Sequence, residues 1–189
     1  MMKIGCGVLA LGVLLGVPSA GSAQMTGTEN GEWRYLGGDA GHTRSSPLNQ
    51  INASNFDKLK VAWIFRGDNF GPGIEYTSRS TPVYVDGVLY TVMGQRRQVV
   101  AIDAASGETR WTFREPDTSR YYRSPRTDFG KGVAYAKLDG RGVIYISTPG
   151  YFLWALDAKT GRPLENWGTG PVPLKDFPKS GVIDMIPDL

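Results

Sequence analysis

Residues 101–111 read AIDAASGETRW, and residues 155–167 read ALDAKTGRPLENW. Laid one on the other, Ala101 and Ala155, Asp103 and Asp157, and Gly107 and Gly161 are each 54 residues apart. Trp111 and Trp167 are 56 apart because the second copy carries two more residues. In Asp-x-x-(Ser/Thr)-Gly the aspartate and the hydroxyl bond back to nearby backbone, and glycine takes the left-handed position, so each copy is a tight turn. Upstream of each lies an alternating apolar run broken by Asp-Gly: VYVDGVLYTV about Asp86-Gly87 and VAYAKLDGRGVIYIS about Asp139-Gly140. Asp-Gly in that setting signals a two-residue hairpin, since both turn positions want positive φ. Each unit is therefore about four antiparallel strands, and the repeat predicts an all-β chain built of β-propeller blades.

The tryptophans complete the unit. One large ring at the end of each blade can lie against the small alanine and turn glycine of a neighbour, locking blade to blade while burying a large apolar area. An ordinary sandwich core would not require the whole Ala-x-Asp-x-x-x-Gly framework to recur with them. A closed propeller takes roughly four to eight blades, whereas two blades and part of a third account for these 189 residues. The expectation is a partial propeller of two to three blades, the front of a longer protein, with residues 181–189 (GVIDMIPDL) approaching a further element.

Composition narrows the function classes. With 41% hydrophobic, 21% charged and 11% aromatic residues, the chain is neither wholly disordered, nor a coiled coil, nor a polytopic membrane protein. The 25 glycines and 12 prolines suit a turn-rich fold. A net charge of +3 is too weak to imply a nucleic-acid partner. One cysteine, Cys6, and one histidine, His42, exclude a disulfide framework and the usual zinc clusters.

Residues 1–23 read as a cleaved signal peptide: Lys3 supplies the positive start, residues 8–17 (VLALGVLLGV) are apolar but too short to span a bilayer comfortably, and Gly21-Ser22-Ala23 offers small residues for cleavage. Cys6 precedes the apolar run, where a lipoprotein cysteine would not be. The expected product is periplasmic or secreted and has no cysteine. Residues 24–65 form an N-terminal lead-in, and residues 66–189 the propeller blades, incomplete at the C-terminus.

Residues 33–51 (WRYLGGDAGHTRSSPLNQI), running into NFDKLKVAWIF at 55–65, carry a further signal. Together with TPVYVDGVLYT at 81–91, both tryptophan motifs and GKGVAY at 130–135, this order resembles the N-terminal part of pyrroloquinoline-quinone (PQQ) dependent dehydrogenases, the glucose dehydrogenase-like group in particular. The resemblance covers nearly all of the chain after the leader. It implies an eight-bladed propeller holding PQQ on its axis near a calcium ion. It also implies oxidation of a sugar or alcohol hydroxyl by hydride transfer to the quinone, with electrons passing on to ubiquinone or a cytochrome. The family's catalytic aspartate and calcium ligands fall beyond Leu189, so no catalytic or metal-binding residue is assigned.

The resemblance also bears on single positions. A glutamate that contacts PQQ in several relatives falls at Arg79 when Pro82 is aligned. The vicinal cysteine pair of the alcohol-oxidising members falls at Pro125 and Arg126, which leans towards the sugar type. The basic residue before Gly-Val-Ala-Tyr, usually arginine, is Lys131; lysine keeps the charge but loses the two-pronged geometry. Thr148, at the end of YIST, matches a threonine near PQQ if one gap is allowed. PQQ is a flat tricarboxylate and needs several cations around an aromatic-sized slot. Lys131, Arg79, Arg126 and Thr148 are the candidate cofactor-binding residues.

Other polar residues carry blander expectations. Arg120 and Arg123 read as solvated surface, and Arg96-Arg97 as a loop nearer exposed than buried. Asp103 and Asp157 read as turn residues, not catalysts. His42 reads as exposed or as a turn residue, with Asp39 and Arg44 beside it fastening the N-terminal loop to the propeller. The favoured reading is the N-terminal part of an exported quinoprotein dehydrogenase, inactive by itself. The alternative is a non-enzymatic PQQ-repeat propeller serving as an envelope scaffold or assembly factor, which would not need the 33–51 segment or the cations before each blade.

Overall fold

The computed structural model of the chain describes residues 26–68, 70, 71, 73, 77–125, 127, 130, 132–165, 167, 172 and 173; the expected leader at 1–23 and the 181–189 tail lie outside them. Two four-stranded antiparallel sheets follow one another. In the first, β1 (Val83–Val85), β2 (Val88–Met93), β3 (Gln98–Asp103) and β4 (Thr109–Phe113) pair in sequence order. In the second, β5 (Ala134–Leu138), β6 (Arg141–Ser147), β7 (Phe152–Asp157) and β8 (Val172–Pro173) do the same. These meanders are two consecutive propeller blades, as the repeat predicts. A short helix, α1 (Ser119–Arg123), lies between them, its first turn capped by the Thr118 hydroxyl accepting from the Tyr121 amide.

The turns form for the reasons visible in the sequence. Asp86 and Gly87 have φ of 49° and 77°, and Asp139 and Gly140 have φ of 49° and 80°, which are the paired positive values of a primed hairpin turn. At the β3–β4 turn the Asp103 carboxylate accepts from the amides of Ala105 and Ser106, both at 3.0 Å, and the Gly107 amide donates to the Asp103 carbonyl at 2.8 Å. Asp157 repeats this with Lys159, Thr160 and Gly161.

One apolar core runs through both sheets. Val83, Val85, Tyr90, Val92, Val99 and Ala101 of the first blade join Ile144, Ile146 and Leu156 of the second in a single buried cluster. Val100 and Ile102, on the opposite face of β3, are buried as well. A strand covered on both faces reads as an unbroken apolar run, and QVVAID does so for that reason.

The tryptophan contact is made twice. The Trp111 ring lies over Gly161, where any Cβ would overlap it, and Trp111 Nε1 donates to the Ala158 carbonyl at 3.0 Å. Trp63 lies over Gly107 in the same way and donates to the Ala104 carbonyl, also at 3.0 Å. The sequence reading leaves Trp63 in the lead-in without a docking role, although Trp-x-Phe occurs at 63–65 as at 111–113. Trp167, the expected second docking residue, lies tilted against Tyr145 with ring centroids 5.1 Å apart, and its Nε1 has no partner among the described residues.

The lead-in is fastened to the first blade, though not by the residues expected. Asp39 is buried and accepts from the Thr43 amide and hydroxyl within its own loop, while Arg44 is exposed. Trp33 makes the attachment by exchanging both backbone hydrogen bonds with Tyr84, 2.9 Å each, which covers the edge of β1. The buried Glu32 accepts from the Asp86 amide at 3.2 Å. His42 is exposed at φ 55°, as expected of a turn residue.

Two outcomes test this account. Gly140 and Gly161 both have positive φ, but only Gly161 has a ring against it. Gly140→Ala should cost about 1 kcal/mol for backbone strain alone. Gly161→Ala should cost about 3 kcal/mol, strain plus displaced packing; equal shifts in urea unfolding would contradict the docking contact. The Arg110 guanidinium, helped by the Ser106 amide, holds the Asp103 carboxyl down from an ordinary 3.8 to about 2. The stability it gives is present above pH ~4 and is lost as pH falls towards ~2. Thermal melts of Asp103→Asn should therefore lie below the parent at pH 7 and converge with it near pH 2.

Candidate cofactor-binding site

An antiparallel meander sends alternate connections to opposite ends of its sheet. The Asp86-Gly87 and Asp139-Gly140 hairpins and the two Asp-x-x-(Ser/Thr)-Gly turns share one end, which is where the tryptophan docks. The start of β1, the β2–β3 turn, the end of β4, the approach to β5 and the β6–β7 turn share the other. The second end gathers Arg79, Arg96, Arg97, Arg114, Glu115 and Thr148.

At the docking end a cleft of about 870 Å³ separates the blades, walled by Asp86, Arg110, Trp111, Tyr135, Asp139 and Asp157. Its acidic and basic residues offset one another, and Asp103 and Asp157 are committed to their turns. The opposite end is cationic. Arg96 is ion-paired with Asp117, stacks over the Tyr121 ring at 4.0 Å and lines a cleft of about 580 Å³ with Phe70, Gln95, Gln98, Arg114 and Tyr121. Its side chain is only 14% exposed, so the expectation of a mostly solvated Arg96 is corrected: the aromatic face and Asp117 desolvate it. Arg120, expected at the surface, is half-buried; its Nε donates to the Gly150 carbonyl at 3.2 Å and its guanidinium lies over Phe152. Arg123 is exposed, as expected.

Of the candidate cofactor-binding residues, Arg79 and Thr148 lie at this cationic end, Arg79 exposed and Thr148 2% exposed. Arg126 and Lys131 lie outside the described residues. The glycines flanking Lys131 are placed: a Cβ on Gly130 would stand 2.9 Å from Val92 Cγ1 and 3.4 Å from Arg97 Cγ, and one on Gly132 would stand 3.4 Å from Ser80 Oγ. Residues 130 and 132 of the second blade thus rest on the cationic end of the first. Ser80 is itself held by Thr91 Oγ1 at 3.0 Å and accepts from the Val92 amide at 3.3 Å.

One functional candidate has no place in the sequence reading. Glu115, 3% exposed, reaches from the end of β4 to the second blade, where it accepts from Thr148 Oγ1 at 2.8 Å and from the Gly150 amide at 2.9 Å. Burial pushes its carboxyl above the ordinary range, against the pull of those two hydrogen bonds and of Arg97 and Arg96. The usable signal is period two: Trp111, Phe113 and Glu115 share one face of an extended strand, while Arg110, Thr112 and Arg114 on the other are exposed.

Residues 33–181 match the family model described as the glucose/ethanol/alcohol dehydrogenase β-propeller domain, PQQ. The chain belongs to this family. It is 37% identical over 161 residues to quinohemoprotein alcohol dehydrogenase ADH IIB of Pseudomonas putida, covering 83% of this chain and 22% of that protein. It is 30% identical over 164 residues to the glycerol dehydrogenase large subunit of Gluconobacter oxydans (strain 621H), covering 82% and 22%. Among solved structures, the quinohemoprotein alcohol dehydrogenase from Comamonas testosteroni superposes with a TM-score of 0.57 at 31% identity, over 75% of this chain and 19% of that one. The chain thus belongs to the lineage of PQQ-dependent dehydrogenases and spans about a fifth of the length of these relatives.

Arginines from separate elements gather at the cationic end, and Gly130 and Gly132 let the second blade's backbone pack closely there on Val92, Arg97 and Ser80. Among the described residues, no three His, Cys, Asp or Glu side chains are gathered where they would hold a metal ion.

Proposed function

We propose that this chain is the N-terminal part of an exported quinoprotein dehydrogenase that oxidises a sugar or alcohol hydroxyl. The observation that carries the reading is the family match over 33–181 together with the gathering of arginines at the end of the sheets opposite the tryptophan docks. When bound, PQQ supplies the hydride acceptor that no amino-acid side chain can provide. The part of these residues is to bind and orient it.

Arg79, Arg126 and Lys131 would neutralise its carboxylates, and Gly130 and Gly132 would let backbone approach its plane closely. The buried joint between the blades below that face excludes water from one side of the site. Calcium, the carboxylate that takes the substrate proton, and the contact with ubiquinone or a cytochrome are assigned to residues beyond Leu189. Pro125 and Arg126 stand where alcohol-oxidising relatives are expected to carry a cysteine pair, which favours a sugar hydroxyl. Residues 1–23 would direct export and be removed, placing the product in the periplasm or outside the cell.

The test is direct. The complete protein of which this chain is the N-terminal part, loaded with PQQ and calcium, should reduce an artificial electron acceptor with glucose or ethanol as donor, and its apoprotein should not. Lys131→Ala should weaken PQQ binding about tenfold or more, the scale of one charge-assisted hydrogen bond, with an unchanged circular dichroism spectrum. Unchanged affinity would remove Lys131 from the site. Failure of the unsubstituted protein to bind PQQ would remove the function.

A further inference from the structure

The strand that leaves the first blade makes three contacts with the second, spaced two residues apart. Trp111 docks at one end, Phe113 meets Trp154 midway with ring centroids 5.2 Å apart, and Glu115 closes the cationic end. Apolar rings suffice for the first two. A buried carboxylate at the third is costly unless its oxygens are satisfied, and here they are: Oε1 receives the Thr148 hydroxyl and Oε2 the Gly150 amide. A donor on each oxygen is the pattern of an ionised carboxylate.

What Glu115 holds is the β6–β7 turn. Gly150 is gripped from both sides, its amide by Glu115 and its carbonyl by Arg120. A Cβ on Gly150 would overlap the Glu115 carboxylate, so a side chain there would displace this contact. The turn is tight, with Tyr151 at φ 63° and its amide donating to the Thr148 carbonyl at 3.0 Å. The single Thr148 hydroxyl proton has two acceptors in reach, Glu115 at 2.8 Å and the Phe152 carbonyl at 3.3 Å, and the shorter contact takes it. Thr148 is thereby left with lone pairs, not a proton, for anything bound beside it. Arg96 and Arg97 of the β2–β3 turn lie within electrostatic reach of the same carboxylate.

We infer that Glu115 is a positioning residue for PQQ: it fixes the Thr148–Phe152 turn of the second blade to the strand leaving the first at the cationic end, so that the cofactor meets a preformed face. This rests on the PQQ reading above, and the experiment separates the two. In the complete protein that begins with this chain, Glu115→Ala, Glu115→Gln, Thr148→Val and the Glu115→Ala/Thr148→Val pair are compared by amide hydrogen exchange over residues 148–152 and by fluorescence titration with PQQ. Glu115→Ala should speed exchange in that turn and raise the Kd for PQQ, each about tenfold. Glu115→Gln should stay within about threefold of the parent in both, because its amide oxygen still accepts from Gly150 while its nitrogen donates to Thr148. The double variant should bind no more weakly than Glu115→Ala alone, as expected of residues acting through one contact. A folded Glu115→Ala with parental PQQ affinity overturns the inference, as do losses that multiply in the double variant. If Glu115→Ala does not fold, Thr148→Val decides: parental affinity and exchange overturn the inference. A parent protein that binds no PQQ overturns the functional reading and this role with it, whatever the exchange rates show.

Discussion

The arrangement depends on a flat indole finding a floor with no side chain. Trp111 reaches Ala158 and Gly161 only because Asp157 has turned the chain: its carboxylate collects two amides and aims the next carbonyl at the neighbouring blade. That carbonyl also accepts from Tyr90 at 3.1 Å, a hydroxyl so desolvated that its ionisation is pushed up to about 12. One backbone oxygen thus serves two aromatic donors from the other blade. Truncating such a ring would remove several kcal/mol, on the order of 3–5 for large aromatic deletions, and would leave the Ala158 carbonyl with one donor fewer. A short turn sequence therefore recurs intact while the strands around it drift.

Once docking occupies one end of the sheets, the other end is left for the binding we propose. The meander places alternate connections at opposite ends, so residues that fix blade to blade and residues that meet a ligand need not compete. The β4 extension is the exception, since its stripe runs from Trp111 through Phe113 to Glu115 and links both ends. In the lead-in the same stripe begins Trp63, Phe65 and then reaches Gly67. The carboxylate is thus a feature of the first blade's exit and not of the docking motif as such.

Strand order, hairpin turns and the docking of Trp111 were legible in the sequence because each follows from local chemistry: Asp-Gly demands positive φ, and Asp-x-x-(Ser/Thr)-Gly closes on itself. The docking of Trp63 is harder to read because its half of the contact lies far in sequence from the turn it meets, although Trp-x-Phe occurs there as well. Glu115 sits in an Arg-Glu-Pro-Asp stretch that looks solvated, and only the position of the second blade shows that it is buried. Arg96 and Arg120 were misplaced for a related reason. Guanidinium groups bury readily when an aromatic face and an oxygen acceptor await them, and Tyr121, Phe152, Asp117 and the Gly150 carbonyl are supplied by segments distant in sequence or by a helix with no strong signal of its own. Arg79 and Thr148 follow from the resemblance alone, and the fold brings both to the cationic end.

The face we propose for a tricarboxylate must also fold without one. Several arginines at one end of two sheets repel each other in the empty protein, and that self-repulsion opposes compaction. The structure supplies counter-charges of its own. Asp117 pairs with Arg96 and lies 3.8 Å from Arg114, and Glu115 offsets Arg97 and Arg96 from beneath. The two carboxylates differ in kind. Asp117 is exposed and can be screened or displaced, whereas Glu115 is buried and bound to backbone of the other blade, so its charge is fixed in place. An arriving polyanion can therefore substitute for the first without disturbing the second, and the joint between the blades keeps its geometry whether or not the face is filled.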